Sequence, residues 1–256
     1  MKIATFNVNS LRARVGIVTD WLAKNRPDVL CLQETKVQDK DFPNEQIGDS
    51  GYDCVFKGQK SYNGVAILAK EKMSEVVFGL DDEPLDETRL VRAKIGGVWI
   101  VNSYVPQGFE AGSEKYAYKL KWFKRLMGYF TKHFKPSDAV IWVGDFNVAK
   151  ESIDVYDPVG LMGSVCFNPQ VQKELNATIG WGFVDMFRQF CPDAGQYSFW
   201  DYRVMGGFKR NLGWRLDYVM ATKALAKKAK SCYIDIEPRT LEQPSDHTPV
   251  VAEFDW

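Results

Sequence analysis

Acids, amides and a histidine recur in this chain at the ends of apolar runs. Asp145 and Asn147 follow the run Ala139–Val143 and Gly144. In an extended chain these two point to the same side, while Phe146 points back toward the core. A carboxylate and a carboxamide side by side at the end of a core strand are costly for packing alone. Taken by itself, the stretch also reads as a strand end turning into a loop through Asp and Asn. The pattern repeats, however, at Asn7 and Asn9, Glu34, Tyr104, Asp217 and the pair Asp246–His247. Converging on one edge of a sheet sandwich, these groups would form a site, because crowded carboxylates repel unless a cation or proton holds them. All-oxygen ligands with one or two carboxylates suit Mg²⁺ or Mn²⁺, with waters completing the octahedron. His247, paired with a carboxylate such as Asp217, would have a raised pKa and could donate a proton or charge to a phosphate oxygen. The other histidine, His133 in TKHFKP, sits at a helix end where the dipole favours a solvated cation, and stays outside the site.

The elements that must position these groups are legible as runs. Lys2–Val8 alternates as a first strand, and Ser10 is placed to cap a helix reaching about Lys24. Val29–Gln33 is an apolar strand ending at Glu34, Thr35 and Lys36. Tyr52–Phe56 and Gly64–Ala69 read as strands, and Leu90–Ile95 with Val98–Val105 as a hairpin turning at Gly96–Gly97. From Ser113 to about Phe134, Tyr118, Trp122, Leu126 and Phe130 recur at helical spacing. Ala139–Val143 has the apolar, β-branched character of a strand buried on both faces, with Gly144 expected to end it. Helices are expected at Pro169–Ile179 and Phe183–Phe190, and strands at Arg215–Ala221, Tyr233–Ile236 and Val250–Phe254. Strands outnumber helices and do not alternate strictly with them. The expected fold class is therefore α/β, with two mixed β-sheets packed face to face and helices outside. Similar polar endings in the two halves point to a pseudo-twofold that would bring them together.

At 256 residues, 45% hydrophobic and 26% charged, the composition is that of an ordinary globular protein. No linker or low-complexity segment divides it, so residues 1–256 are expected to form a single domain. Lys+Arg and Asp+Glu number 33 each, which excludes a global basic field; a polyanion must be met by a local patch or a metal ion. Five widely spaced cysteines without a CxxC fit reduced core thiols in a cytoplasmic compartment, and not a disulfide scaffold or a zinc site. The N-terminus has no apolar core of a signal peptide, and no run approaches the roughly 18 apolar residues of a membrane span.

The blocks FNVNSLRAR, LCLQETK, YNGVAIL, SYVPQG, GDFNVA, GWRLDY and SDHTPV occur in that order from Phe6 to Val250. Together they resemble the signature blocks of exonuclease III-type apurinic/apyrimidinic endonucleases, within the endonuclease/exonuclease/phosphatase superfamily. GDFN and SDH are shared with distant relatives such as pancreatic deoxyribonuclease, whereas LQETK with GWRLDY is specific to the DNA-repair branch. The resemblance implies a four-layer α/β sandwich and a monomeric Mg²⁺ enzyme acting on double-stranded DNA with abasic sites or 3′ blocks. It implies that Glu34 with Asn7 binds the metal, and that Asp246 and Asn9 serve a second metal or its water. It further implies that Asp145 deprotonates the attacking water and Asn147 holds it or a phosphate oxygen. Tyr104 and His247 would contact the scissile phosphate, and Asp217 would orient His247. Lys36, Asn63 and Gln107 would follow the phosphate backbone.

Phe199, Trp200, Trp214 and Leu216 flank the Asp217 strand and resemble the family's apolar pocket for an extruded abasic sugar. The loop Arg203–Arg210 between them suits a side chain wedged into a bent duplex. Three departures stand out: Asn9 replaces an Asp of vertebrate members, Cys166–Gln170 differs from the commoner loop beside the pocket, and Trp214 matches members strong in abasic-site cleavage. Two other function classes fit less well. A phosphatase or phosphodiesterase acting on a non-DNA phosphate ester is opposed by the aromatic segment and GWRLDY. A silent DNA-binding module is opposed by the complete set of acids, amides and His. Within the family, the alternative is mainly a 3′-5′ exonuclease with weak abasic-site incision.

Overall fold

A single parallel pair of strands lies inside each of two six-stranded mixed sheets in the computed structural model, which describes residues 1–256. In the first sheet β1 (Lys2–Asn7) is parallel to β2 (Val29–Gln33). Antiparallel neighbours β3 (Asp53–Lys57), β4 (Val65–Ala69), β11 (Ala229–Ile234) and β12 (Val250–Phe254) complete the order β11-β12-β1-β2-β4-β3. In the second sheet β7 (Val98–Tyr104) is parallel to β8 (Val140–Asp145). There β5 (Ser74–Phe78), β6 (Leu90–Ile95), β9 (Phe183–Asp185) and β10 (Asp217–Thr222) give the order β5-β6-β7-β8-β10-β9. The long crossover helices are α1 (Leu11–Asn25) and α3 (Glu114–His133). The shorter α2 (Asn44–Gly48), α4 (Pro169–Gly180), α5 (Met186–Phe190) and α6 (Lys223–Ala226) fill in around them.

The strand pleat sorts side chains into layers. Ile3 of β1 faces the space between the sheets with Val29, Ile100, Ile141 and Val219, while Ala4 and Phe6 face Leu11, Val18 and Leu22 of α1. On the second sheet Trp142 and Tyr218 turn outward to Trp122, Phe123 and Phe130 of α3. The result is the expected four-layer sandwich of two mixed sheets between helices. Topology then brings the polar endings to one edge. The parallel strands β1, β2, β7 and β8 end there, and the antiparallel β10 and β12 begin there. The register sets Asn7 opposite Gln33, Tyr104 opposite Asp145, and Asp145 opposite Asp217.

Several local expectations change. Ser10 does not cap α1 with its side chain; its φ is 91°. Instead the Ser10 and Leu11 amides donate to the Glu34 and Thr35 carbonyls at 2.8 and 2.9 Å, so the helix start is satisfied by the strand end it positions. Gly144 does not end β8, which continues to Asp145. Its φ is +141°, and an added Cβ would lie 1.8 Å from the Ser103 carbonyl oxygen, so only glycine lets β8 lie this close to β7. Phe183–Phe190 is a short strand followed by a helix. Pairing of Phe183 with Thr222 captures its first turn, and Asp185 caps α5 through the Arg188 amide at 3.2 Å. The edge strand β5 has no clear sequence signature, because its residues are exposed or half-exposed and alternate poorly. No helix is long and apolar enough to cross a membrane, and all five cysteines are free thiols.

Candidate active site

Asn7, buried at the end of β1, joins the two sheets at their polar edge. Its amide nitrogen donates to Glu34 Oε1 at 2.9 Å and to Asp145 Oδ2 at 2.8 Å. Glu34, just past β2, is paired with Lys36 Nζ at 2.7 Å, and Lys36 also donates to Asn9 Oδ1 at 2.5 Å. Asn9 in turn donates to Asp246 Oδ1 at 2.9 Å. Asn9, Glu34, Lys36, Asn63 and Asn147 all have φ between 42° and 51°. Left-handed backbone at non-glycine residues costs free energy, and here it turns each strand end sharply enough to present its side chain at the edge. Asp145 and Asn147 form a turn and also lie beside the other acids. The Asn147 amide donates to Asp145 Oδ1 at 2.9 Å in a local turn, and the Asn147 side chain donates to Asp145 Oδ2 at 3.1 Å beside the other acids. Phe146 points to the core, stacked between Trp142 and Tyr218.

His247 lies between two buried carboxylates. Its Nδ1 is 2.8 Å from Asp217 Oδ2, and its Nε2 is 3.8 Å from Asp145 Oδ2. Burial pulls the imidazole down, but Asp217 and Asp145 outweigh it and push its pKa up to about 10. The two carboxylates thus favour its charged form. For Asp145, burial raises the carboxyl; His247 opposes that, and the charges of Asp217 and Glu34 carry it to about 7. Burial would also raise Glu34, yet Lys36 and Asn7 hold it below the usual carboxylate range. Tyr104, at the end of β7, is pushed well above its ordinary pKa by burial and by Glu34 and Asp145, so its hydroxyl keeps its proton as a donor. Ser198, which no sequence pattern singled out, donates to Asp217 Oδ2 at 2.7 Å and accepts the Leu216 and Asp217 amides at 3.1 Å each. It holds the carboxylate that holds the imidazole.

The donor set fits a hard divalent cation. Glu34, Asp145, Asp217 and Asp246 crowd together here, and burial first, then the charges of Asp217 and Glu34, raise the Asp145 carboxyl. Asp145, Asp217 and His247 also offer atoms within 4.8 Å of one another. That trio is already paired through His247, whereas Glu34 accepts from Asn7 and Lys36, and Asp246 from Asn9. The carboxamides of Asn7 and Asn9 turn their nitrogens toward carboxylates; a ligand role calls for the opposite face of each amide.

Glu34, Tyr104, Asn147, Asp246 and His247 line a cleft of about 490 Å³ with Gln107, Phe109, Val165, Cys166, Phe199, Trp214 and Leu216. The fully buried Asp145 and Asp217 back Asn147 and His247. Phe199 pairs with both Trp214 and His247 in bridge contacts, so the apolar wall and the imidazole are set by one segment. Trp200 departs from expectation. As the extended neighbour of Phe199 it points the other way, donating to Asn211 Oδ1 at 3.3 Å and packing edge-on against Phe208 beside a separate cavity. Lys36 takes the Asn63 carbonyl at 2.9 Å through its backbone, which places both beside Glu34. Gln107 accepts the Phe109 amide at 2.6 Å at the cleft mouth. His133 lies elsewhere, against Asp81. Phe109, Arg203 and Asp201 on the rim were not anticipated as cleft residues; only the exposure of Phe109 (69%) distinguishes it.

Comparison with known proteins bears on the family and the fold. A family model described as Endonuclease/Exonuclease/phosphatase family matches residues 4–247. The chain is 32% identical over 269 residues to the exodeoxyribonuclease III of Haemophilus influenzae, covering 99% of this chain and 100% of that one. A solved AP endonuclease from Archaeoglobus fulgidus superposes with a TM-score of 0.98 at 50% identity over 100% of both chains. The Neisseria 3′ phosphatase NExo, solved bound to a product DNA hairpin, superposes at 0.94 with 37% identity over 100% of both.

Proposed function

Since the chain belongs to the endonuclease/exonuclease/phosphatase family, we propose that it is a Mg²⁺-dependent DNA repair phosphodiesterase. It incises 5′ to abasic sites to leave a 3′-hydroxyl, and removes nucleotides or blocking groups from 3′ ends. The observation that carries this is one cleft lined by Glu34, Asn147 and His247 against the apolar wall of Phe199, Trp214 and Leu216, with Asp145 and Asp217 buried behind Asn147 and His247. The named activities of its full-length relatives support it.

Phosphodiester hydrolysis needs acceleration of ~10¹⁵-fold or more, supplied by positioning and charge neutralisation. Glu34 with Asn7 would hold Mg²⁺, or Mn²⁺ in its place, with Asp246 and Asn9 serving a second ion or its water. The metal supplies Lewis-acid neutralisation of charge on the phosphate. Asp145 takes the proton of the attacking water, which Asn147 helps to hold. His247, kept charged and oriented by Asp217, hydrogen-bonds a phosphate oxygen, and the Tyr104 hydroxyl hydrogen-bonds the same group. The P–O3′ bond breaks as the water oxygen bonds phosphorus, and the leaving 3′ oxygen is protonated from solvent. Lys36, Asn63 and Gln107 track the backbone. An extruded abasic sugar fits against Phe199, Trp214 and Leu216, whereas an intact base must be unstacked at greater cost. Met205, 91% exposed on the loop between Phe199 and Trp214, suits a wedge between base steps. Residues 1–256 act as one catalytic domain, a monomer in a reducing, cytoplasmic compartment that the five free thiols suit.

The test is incision of an abasic-site duplex with and without EDTA, beside a phosphoinositide control. Cleavage is expected on DNA alone, lost with EDTA and in Asp145→Ala. Metal-independent cleavage, or full activity of that variant, would sink the mechanism.

A further inference from the structure

Beneath the cleft lies a lysine that the mechanism does not use. Lys119 of α3 is fully buried, and its ammonium donates to three backbone carbonyls: Asn147 at 2.7 Å, Val165 at 2.9 Å and Gln107 at 3.1 Å. Those contacts match the three donors an ammonium carries. No carboxylate lies within ion-pair reach of it; its other polar neighbour is the Cys166 thiol at 3.8 Å. Burying a cation without a counter-ion is expensive, and a leucine or methionine would fill the space at lower cost. Burial accordingly pulls the ammonium below its ordinary pKa, although the Cys166 thiol and the more distant charge of Asp145 compensate in part. Core filling therefore does not account for this residue.

The identity of the three carbonyls does. Gln107, Asn147 and Val165 all line the cleft, and they belong to the segments after β7, after β8 and before α4. The segment carrying Gln107 is seated tightly on the lysine stem: at Gly108, with φ +95°, an added Cβ would lie 3.1 Å from Lys119 Cδ. Asn147 is fixed from its other side as well, through Asp145 and through the Val105 carbonyl at 3.0 Å. Its φ of 51° is a strained value at a non-glycine residue, of the kind that persists where the surroundings over-determine it.

We propose that Lys119 is a positioning residue for this reaction: by holding the carbonyls of Asn147, Val165 and Gln107 together, it sets Asn147 against Asp145 and joins that pair to the cleft walls. The proposal rests on the DNA phosphodiesterase function above. The experiment is steady-state cleavage of an abasic-site duplex in Mg²⁺ by wild type, Lys119→Met, Asn147→Ala and the double variant, each checked by thermal melting. Lys119→Met is expected to fold and to lower kcat by ~10- to 100-fold, the scale of a roughly 1 Å misplacement, with KM within about 3-fold. In the Asn147→Ala background the same substitution is expected to change kcat by less than about 3-fold, because both act at one place. Lys119→Arg, which keeps charge and donors, is expected to recover part of the loss. A folded Lys119→Met enzyme with wild-type kcat overturns the proposal, and so does a loss that multiplies in full on Asn147→Ala. If Lys119→Met does not fold, Lys119→Gln carries the same test; failure of both to fold assigns the residue to stability and overturns positioning. Inactivity of the wild type on DNA would be seen separately and would refute the underlying function.

Discussion

Replacing Arg215 by Met should destabilise this protein severely without touching the catalytic acids. Arg215 is fully buried between Trp214 and Leu216, both of which face the cleft. Its guanidinium bonds Asp154 at 2.7 and 3.1 Å, lies 2.8 Å from Asp185 Oδ2 and stacks 4.3 Å from the Tyr218 ring centroid. Breaking a buried ion pair by removing one partner costs about 3–5 kcal/mol. Asp154 retains Arg188, so the lower part of that range applies, while Asp185 loses its cation. Methionine keeps most of the volume, so little is added for a cavity. At roughly 2–4 °C per kcal/mol for a chain of this size, a loss of about 3 kcal/mol lowers Tm by about 6–12 °C. The pH dependence has a definite sign. Burial would raise the Asp154 carboxyl, but Arg215 and Arg188 outweigh it and hold it below its ordinary value. The group therefore stabilises the fold above its unfolded pKa of about 3.9, and that stability is lost as pH falls through the depressed folded value. Circular dichroism melts should show the gap between wild type and variant at neutral pH and its narrowing below about pH 4. A Tm loss under about 3 °C at pH 7, or a gap that widens in acid, would refute the network as an anchor.

Other substitutions test the site directly. His247→Ala should lower kcat by ~10²-fold or more, as expected when a transition-state donor is lost, and a change confined to KM would contradict that role. Ser198→Ala leaves Asp217 Oδ2 with one partner fewer and two amides unpaired, so it should cost about 1–3 kcal/mol in denaturant melts and lower kcat by less than His247→Ala does. An equal or larger rate loss would place the serine in the chemistry itself. Gly144→Ala drives a Cβ into the Ser103 carbonyl and should cost more than about 4 kcal/mol, measured as loss of soluble folded protein. A well-folded variant would show that β7 and β8 can part without harm.

The residue types at the strand ends, and the elements that carry them, were determined locally and so were legible in the sequence. An apolar run closed by Asp145, Glu34 or Asn7 reports burial followed by exposure along one stretch of chain, and the sheet pleat turns that into a face. Two mixed sheets with outer helices followed from the count and spacing of such runs. Tertiary structure decided the partners. Asp217 reaches His247 across 30 positions, and Asn7 reaches Asp145 across 138, distances over which no periodicity carries information. It also decided which of two adjacent aromatics faces the cleft: Phe199 does and Trp200 does not, because pairing with Trp214 and His247 fixes the strand's hand. Ser198 and Lys119 read as ordinary polar residues of a loop and a helix. Their roles come from backbone carbonyls, amides and a carboxylate that only folding brings beside them, and backbone groups leave no mark on residue identity at the positions that supply them.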